Sequence, residues 1–386
     1  MPAMQATLQF FSERLRSASS NATPVRLRGG GSKDFYGQAL QGEVLDTRAY
    51  RGILSYEPSE LVITVRAGTP MVEVQAALAE KGQCLPFEPP QFGASTVGGM
   101  VASGLAGPAR ASVGTVRDFV LGLRMLNGQG QDLTFGGQVM KNVAGYDVSR
   151  LLAGSLGQLG LITEVSLKVL PVAPGEATLR CAGVAQAQAL ELLNQWGAQP
   201  LPLNASAWVR DDSLEPAQDC LFVRLRGAVA AVESAVLKMT AQVQALGARV
   251  TRLEMAQAVA DWHASGEHTL PFFTAPAAPD LCLWRLSLPQ TAPALDMTSL
   301  DIQDRVYIEW HGAQRWLWAR ASQAGALRAL AHKLGGHAVL FRTSRLHGDA
   351  DKAVGVFSAL DAVQQRIQDQ LKKQFDPAGI LNPGRI

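Results

Sequence analysis

Between Gly93 and Asp118 the chain reads GASTVGGMVASGLAGPARASVGTVRD, with glycines at 93, 98, 99, 104, 107 and 114 set among Ala, Ser, Thr and Val. Such a run is no ordinary helix interior, because each glycine there costs about 0.8–1 kcal/mol relative to alanine. It is no flexible linker either, since its Val, Met and Leu residues are spaced for packing and Gly/Ser linkers lack them. So many missing side chains let backbone approach something flat or phosphorylated. The alternative is a tight packing corner. The functional reading is one wall of a large ligand site.

Two further glycine clusters bracket it. In Pro24–Phe35, PVRLRGGGSKDF, Val25 and Leu27 alternate with Arg26 and Arg28, the period-two signature of a strand. Gly29, Gly30 and Gly31 then leave successive N–H groups free to converge on an anion, with Ser32 and Lys33 beside them. This is neither GxxxxGK[ST] nor GxGxxG, and by itself it is compatible with a plain glycine turn. In the third cluster Gly154, Gly157 and Gly160 recur at intervals of three before a strand at 161–169. Three strand-linked glycine segments suggest one long ligand threaded across several loops.

The intervening sequence supplies the scaffold. LVITVR at 61–66 reads as a buried strand. Thr69 as N-cap and Pro70 at the first helical position open a helix packing Val72, Val74, Ala77 and Leu78. Pro86 lies in a turn leading to the glycine-rich stretch, and 119–126 is another strand, turning at Asn127-Gly128. At the N-terminus Leu8, Phe11 and Leu15 fall at helical spacing. Strands alternating with short helices place the first 170 residues or so in the α/β or α+β class.

Beyond PVAPG at 171–175, the glycine-rich turns stop. Strands are expected at 221–226, 249–253, 282–288, 306–310 and 338–342, with helices at 230–246 and 321–334. The first of these helices presents Val232, Val236, Met239 and Val243 on one face. Trp284, Trp310, Trp316 and Trp318 cluster here and read as core of this half rather than as a substrate wall.

Composition sets limits. At 386 residues two domains are expected. A formal net charge of +2 gives no reason to expect nucleic acid. Cys84, Cys181, Cys220 and Cys282 are scattered without a CxxC pair, which argues against an iron–sulfur or zinc site and against a disulfide framework. A reducing, cytoplasmic setting fits best. No apolar run is long enough to span a membrane, and the N-terminus lacks the pattern of a signal peptide.

The order RGGGS, GASTVGGMVASG and GYDVSRLLAGSLGQLGLITEV resembles the FAD-binding domain of the vanillyl-alcohol oxidase and para-cresol methylhydroxylase (PCMH-type) superfamily. With IEWHGAQRWLW, GGHAVLFR and the ending FDPAGILNPGRI, the chain is similar more narrowly to the family of FAD-binding, E-type subunits of bacterial glycolate oxidase. The resemblance implies an α/β (α+β) two-domain fold. It has a PCMH-type FAD-binding domain at 1–172, an α+β cap at 173–350 and a segment at 351–386 that returns to the FAD domain. It implies FAD as cofactor, with the pyrophosphate loop on Arg28, Gly29, Gly30, Gly31, Ser32 and Lys33. Pro86, Gly93, Ser95, Thr96, Gly98, Gly99, Ser103 and Gly104 would follow the flavin and diphosphate. Gly114 and Asp118 would pass the cofactor again, and Gly157, Gly160 and Ile162 would lie near the adenosine. Ser32 stands where relatives with an RSGGH-type loop carry the histidine that bonds the flavin, so non-covalent FAD is expected.

The resemblance further implies oxidation of glycolate, and of D-lactate as a further substrate, within a complex. Its partners would be a homologous FAD-containing catalytic subunit and an iron–sulfur subunit, located in the cytoplasm or peripherally at the inner membrane face. The alternatives are a self-sufficient D-2-hydroxy-acid dehydrogenase and a non-catalytic assembly subunit. Ser265-Gly266-Glu267-His268 and His347-Gly348-Asp349 resemble fragments of the SGEHG and HxGDGNxH motifs of catalytic relatives. They occur in the wrong order, however, SGEH is followed by TLPFF, and the second metal-motif histidine is missing. No metal is expected, no catalytic residue is assigned, and His337 reads as structural.

Overall fold

The structure is a computed structural model that describes residues 2–137, 147–211, 216–298, 300, 302 and 305–386. Gly145 and Tyr146, which begin the third quoted motif, lie outside the described residues. The chain forms two compact units: Met1–Ala106 with Thr115–Val172 and Ala359–Ile386, and Gly107–Gly114 with Ala173–Ser358.

The first unit is built on an antiparallel sheet. Among the described residues its strand order is Ile53–Glu57, Val62–Arg66, Leu161–Lys168, Val120–Leu126, Asp132–Gly136. Val62, Ile63, Thr64 and Val65 are all buried. That explains an apolar run without alternation, since an inner strand covered on both faces has no polar side. The outer Asp132–Gly136 strand alternates exposed and half-buried positions, as a strand with one solvated face should.

The expected helix forms over Met71–Ala79, one residue later than the cap signal implies. Pro70 is its N-cap, at φ −59° and ψ 138°. Thr69 is instead engaged elsewhere: its hydroxyl donates to the local Arg66 carbonyl (2.7 Å) and accepts from the more distant Gly52 N–H (2.8 Å). The packed face is Met71, Val74 and Leu78, while Val72 is exposed. The N-terminal helix Pro2–Asn21 buries Leu8, Phe11 and Leu15 against Val25, Ile380 and Leu381. The C-terminal segment pairs in parallel beside the Val25–Arg28 strand, with Val25 N–H donating to the Ile380 carbonyl (2.7 Å) and Asn382 N–H to the Val25 carbonyl (3.0 Å).

The second unit carries a larger antiparallel sheet. Its order among the described residues is Arg249–Arg252, Gly175–Ala182, Gln218–Gly227, Leu203–Asp211, Val306–Glu309, Gln314–Ala319, Cys282–Ser287, His337–Arg342. Alternate residues, such as Leu179 and Cys181 or Leu221, Val223 and Leu225, join the helices Gln186–Gly197, Val229–Gln244 and Ala324–Lys333 in one core. On Val229–Gln244 the buried stripe is Val232, Ala235, Met239 and Val243, with Val236 at its margin. Trp284 lies in that core and Trp316 is buried on the other face. The Trp318 indole N–H donates to the Phe272 carbonyl (2.7 Å) and that of Trp310 to the Gly107 carbonyl (3.0 Å).

Candidate functional site

The Val25–Arg28 strand ends in Gly29-Gly30-Gly31, and the glycine-rich stretch folds directly against this turn. A Cβ on Gly30 would sit 1.4 Å from the Ala94 carbonyl oxygen, and one on Gly29 would sit 2.2 Å from Thr96 Oγ1. Gly31 takes φ +75°, a conformation that favours glycine. The absent side chains thus bring two backbone segments into contact. Lys33 ties the same segments together: its ammonium donates to Ser95 Oγ (2.9 Å) and the Gln91 carbonyl (3.1 Å). Thr96 caps the short helix Val97–Ser103 through its hydroxyl, which accepts from Gly99 N–H.

These segments line one slot of about 120 Å³ within the first unit. Its walls include Arg28, Gly29, Gly30, Gly31, Ser32 and Lys33 on one side, and Ser95, Thr96, Gly98, Gly99 and Ser103 on another. Gly157, Gly160 and Ile162 complete it. Gly157 has φ +77°, and a Cβ there would meet Asn382 Nδ2 at 2.6 Å.

Five expected positions are not among the residues lining this slot. Pro86 is buried in the turn before the glycine-rich stretch. Gly93 has open space at its Cβ position and φ +105°. Gly104 ends the Val97–Ser103 helix in the left-handed conformation, against Gly154. Gly114 ends the turn Arg110–Val113 and belongs to the second unit. Asp118 closes a capping box, accepting from the N–H (2.7 Å) and hydroxyl (2.8 Å) of Thr115. Burial pushes its carboxyl up, but these two bonds, with Arg117 and Arg150 nearby, bring it below the usual range.

Two lining residues that sequence reasoning did not single out come from the chain's end. Asn382 accepts from Leu27 N–H (2.8 Å) and donates to the Leu156 carbonyl (2.6 Å), joining the first and third glycine clusters. Arg385 donates to the carbonyls of Asp34 (2.7 Å) and Gln38, just beyond the Gly29–Gly31 turn. The signal was the polar turn within FDPAGILNPGRI, whose target is invisible without the fold. Below it, buried Asp376 accepts from Lys372 (2.7 Å) and from the N–H groups of Ile380 (3.2 Å) and Leu381 (2.8 Å).

The slot's charge has a sign. Arg28, Lys33 and Arg385 face one carboxylate, Asp34, which is already engaged by Arg26 and by Arg28 (2.9 Å). A glycine-walled slot with surplus positive charge suits an extended diphosphate, which needs backbone donors at close range and cations beside them.

Residues 6–149 match the family described as FAD binding domain. Over 97% of this chain and 95% of the relative, the sequence is 42% identical to glycolate oxidase subunit GlcE of Escherichia coli strain K12. The chain belongs to the GlcE family. FAD is therefore the family's cofactor, and the chain belongs among the FAD-dependent oxidoreductases. Over 43% of the chain and 36% of the relative, it is 32% identical to glycolate oxidase subunit GlcD of Bacillus subtilis strain 168. Alkyldihydroxyacetonephosphate synthase has the same fold, with a TM-score of 0.69 at 14% identity over 97% of this chain and 75% of that one.

The histidines do not assemble a metal centre: among the described residues no group of three or more His, Cys, Asp or Glu is placed to hold an ion. His268 is buried and stacked on Phe273 with ring centroids 4.1 Å apart. Its burial, with Arg342 and Arg285 nearby, depresses its pKa. His311 lies between two serine hydroxyls, Ser206 at Nδ1 (3.0 Å) and Ser112 at Nε2 (2.9 Å), and burial lowers its pKa to about 4. His337 begins the edge strand and is exposed.

Proposed function

We propose that this chain is an FAD-carrying subunit of a glycolate oxidase complex that converts glycolate, and D-lactate as a further substrate, to the 2-oxo acid. The observation that carries this reading is the cationic glycine-walled slot, found in a chain 42% identical along nearly its whole length to GlcE. When bound, FAD supplies a two-electron acceptor for the hydroxy acid's α-carbon. The chain's own residues hold it: Gly29–Gly31, Gly98 and Gly99 present backbone to the diphosphate, while Arg28 and Lys33 balance its charge. Asn382 and Arg385 fix the loops that do this. Gly157, Gly160 and Ile162 stand toward the adenosine.

The attachment is non-covalent, because Ser32 offers a hydroxyl where a histidine would be needed. Residues 1–172 form the FAD-binding domain, 173–350 the cap, and 351–386 the returning segment. The break between compact units after Val172 supports the first boundary, while the second unit also takes in Gly107–Gly114 and runs on to Ser358. No helix among the described residues is long and apolar enough to cross a membrane; the location proposed is the cytoplasm, or the inner membrane face by way of the complex. The partners are a homologous FAD-containing catalytic subunit and an iron–sulfur subunit. This chain offers no cysteine cluster to carry single electrons: its described cysteines are free and mostly buried.

The test is affinity purification followed by a visible spectrum. A flavin spectrum together with two co-purifying chains, one cysteine-rich, is the expected outcome. The FAD-loaded chain alone should reduce a dye negligibly with glycolate. Removing hydride from a 2-hydroxy acid needs a base at the hydroxyl and an anchor for the carboxylate, and catalytic relatives place both on motifs that are broken here. Turnover by the isolated chain near the enzymatic median of ~10 per second would replace the subunit reading with a self-sufficient dehydrogenase.

A further inference from the structure

The second unit holds a cavity of about 460 Å³ that the FAD site does not use. It lies within the span of roughly 300–1,000 Å³ typical of small-molecule pockets, and none of its lining residues belongs to the FAD slot. Aromatic surfaces of Trp262, Phe222, Phe272 and Tyr307 form much of its wall.

Its three hydroxyls, on Thr178, Ser265 and Tyr307, keep two unspent donor hydrogens. Ser265 Oγ and Tyr307 Oη meet at 2.8 Å, so two hydroxyls share one hydrogen bond and one O–H remains. Thr178 Oγ1 accepts from the Trp262 indole N–H (3.0 Å), which leaves its own hydrogen without a partner among the described residues. All three residues line the cavity and are at least nine-tenths buried. A buried donor with no acceptor is costly, and here two of them border one aromatic space.

Charge narrows the occupant. Arg210 and Arg305 are balanced by Asp211 and Asp261. Arg210 already pairs with Asp219 (3.4 Å), Asp211 pairs with Arg180 (2.9 Å), and Asp261 accepts from Gln257 (2.8 Å). The lining offers no surplus charge to hold an ion.

We infer that this cavity binds an uncharged, flat ring compound bearing a carbonyl oxygen, which receives the spare hydroxyl hydrogens while its ring packs on the aromatic walls. This goes beyond the proposed function and does not depend on it.

Equilibrium dialysis of the FAD-loaded full chain tests it with three probes: 2-acetylnaphthalene, naphthalene and 2-naphthoate. Saturable binding of the ketone is expected, with naphthalene and naphthoate both weaker and the flavin spectrum unchanged. The double variant Ser265→Ala/Tyr307→Phe, and separately Thr178→Val, should each weaken the ketone about fivefold while leaving naphthalene as in the wild type. Three results would overturn the inference: no saturable ketone binding, tighter binding of naphthoate than of ketone, or release of FAD by the ketone. Equal ketone affinity in folded wild-type and hydroxyl-less proteins would do so as well.

Discussion

Replacing Gly30 with alanine adds one methyl group where the structure has no room for it. The new Cβ would stand 1.4 Å from the Ala94 carbonyl oxygen and 2.6 Å from the Ala94 carbonyl carbon. Ordinary contact begins near 3.4 Å, so the two strands of backbone must part by about 2 Å (3.4 − 1.4). Neither obstacle is the end of a flexible side chain that could swing aside. Parting them moves Gly29–Gly31 away from the 93–99 stretch and stretches the Lys33–Ser95 bond at 2.9 Å. If one charge-assisted contact to the diphosphate is lost, the cost is about 1.5–3 kcal/mol, or roughly a 10- to 150-fold rise in the Kd for FAD.

The assay is titration of apoprotein with FAD, followed by flavin fluorescence, beside circular dichroism to show that the fold persists. Gly325→Ala is the control. That residue lies in the helix Ala324–Lys333 with nothing within 4 Å of the added methyl, and the change should leave FAD binding untouched. Equal FAD affinity in Gly30→Ala and wild type would refute the placement of the diphosphate against this loop.

Three further outcomes follow from named contacts. On acid precipitation the yellow colour should leave the pellet with the supernatant, since Ser32 cannot form the histidyl bond; flavin retained by the washed pellet would contradict this. His311 titrates at about 4 in the folded chain against 6.5 when unfolded. The unfolded state therefore binds the extra proton first, and stability is complete above pH 6.5 and falls as the pH drops toward 4. Urea melts at pH 7.5 and 5 should differ by about 2 kcal/mol from this residue, a difference that His311→Gln removes. Asp376→Ala leaves Lys372 without its carboxylate and strips the acceptor from Ile380 and Leu381. It should cost about 3 kcal/mol by chemical denaturation, and weaken FAD binding through Asn382 and Arg385.

The sequence disclosed the first unit better than the second, and the reason is physical. Glycine clusters attached to strands announce themselves locally, because backbone approach and left-handed turns need glycine wherever the partner lies. The Val62–Arg66 strand was equally legible, its burial on both faces leaving an uninterrupted apolar run. By contrast Gly175–Ala182, Leu203–Asp211 and Gln314–Ala319 carry charges or amides in the strands themselves. Arg180 meets Asp211 (2.9 Å), Arg224 meets Asn204 (2.7 Å), and Gln314 meets Glu309. Partners that make a buried arginine tolerable sit on neighbouring strands, so the linear pattern looks like loop until the sheet is assembled. Thr69 fails the cap rule for a related reason, because the Gly52 N–H, a donor from a distant turn, takes up the hydroxyl oxygen that would otherwise accept from the helix end.

The same logic explains why the site's far wall stayed hidden. Asn382 is 355 residues from Leu27 and 226 from Leu156, yet it bonds to both. Arg385 is 351 residues from the Asp34 carbonyl it holds. Nothing in LNPGR states an address. Its function comes from the parallel pairing of the chain's end with Val25, which in turn needs the N-terminal helix to cover Ile380 and Leu381. The Gly29–Gly31 turn is thus held in place by segments from both ends of the chain. A glycine turn that would be mobile in isolation becomes a fixed set of donors, because its position is set by contacts made several hundred residues away.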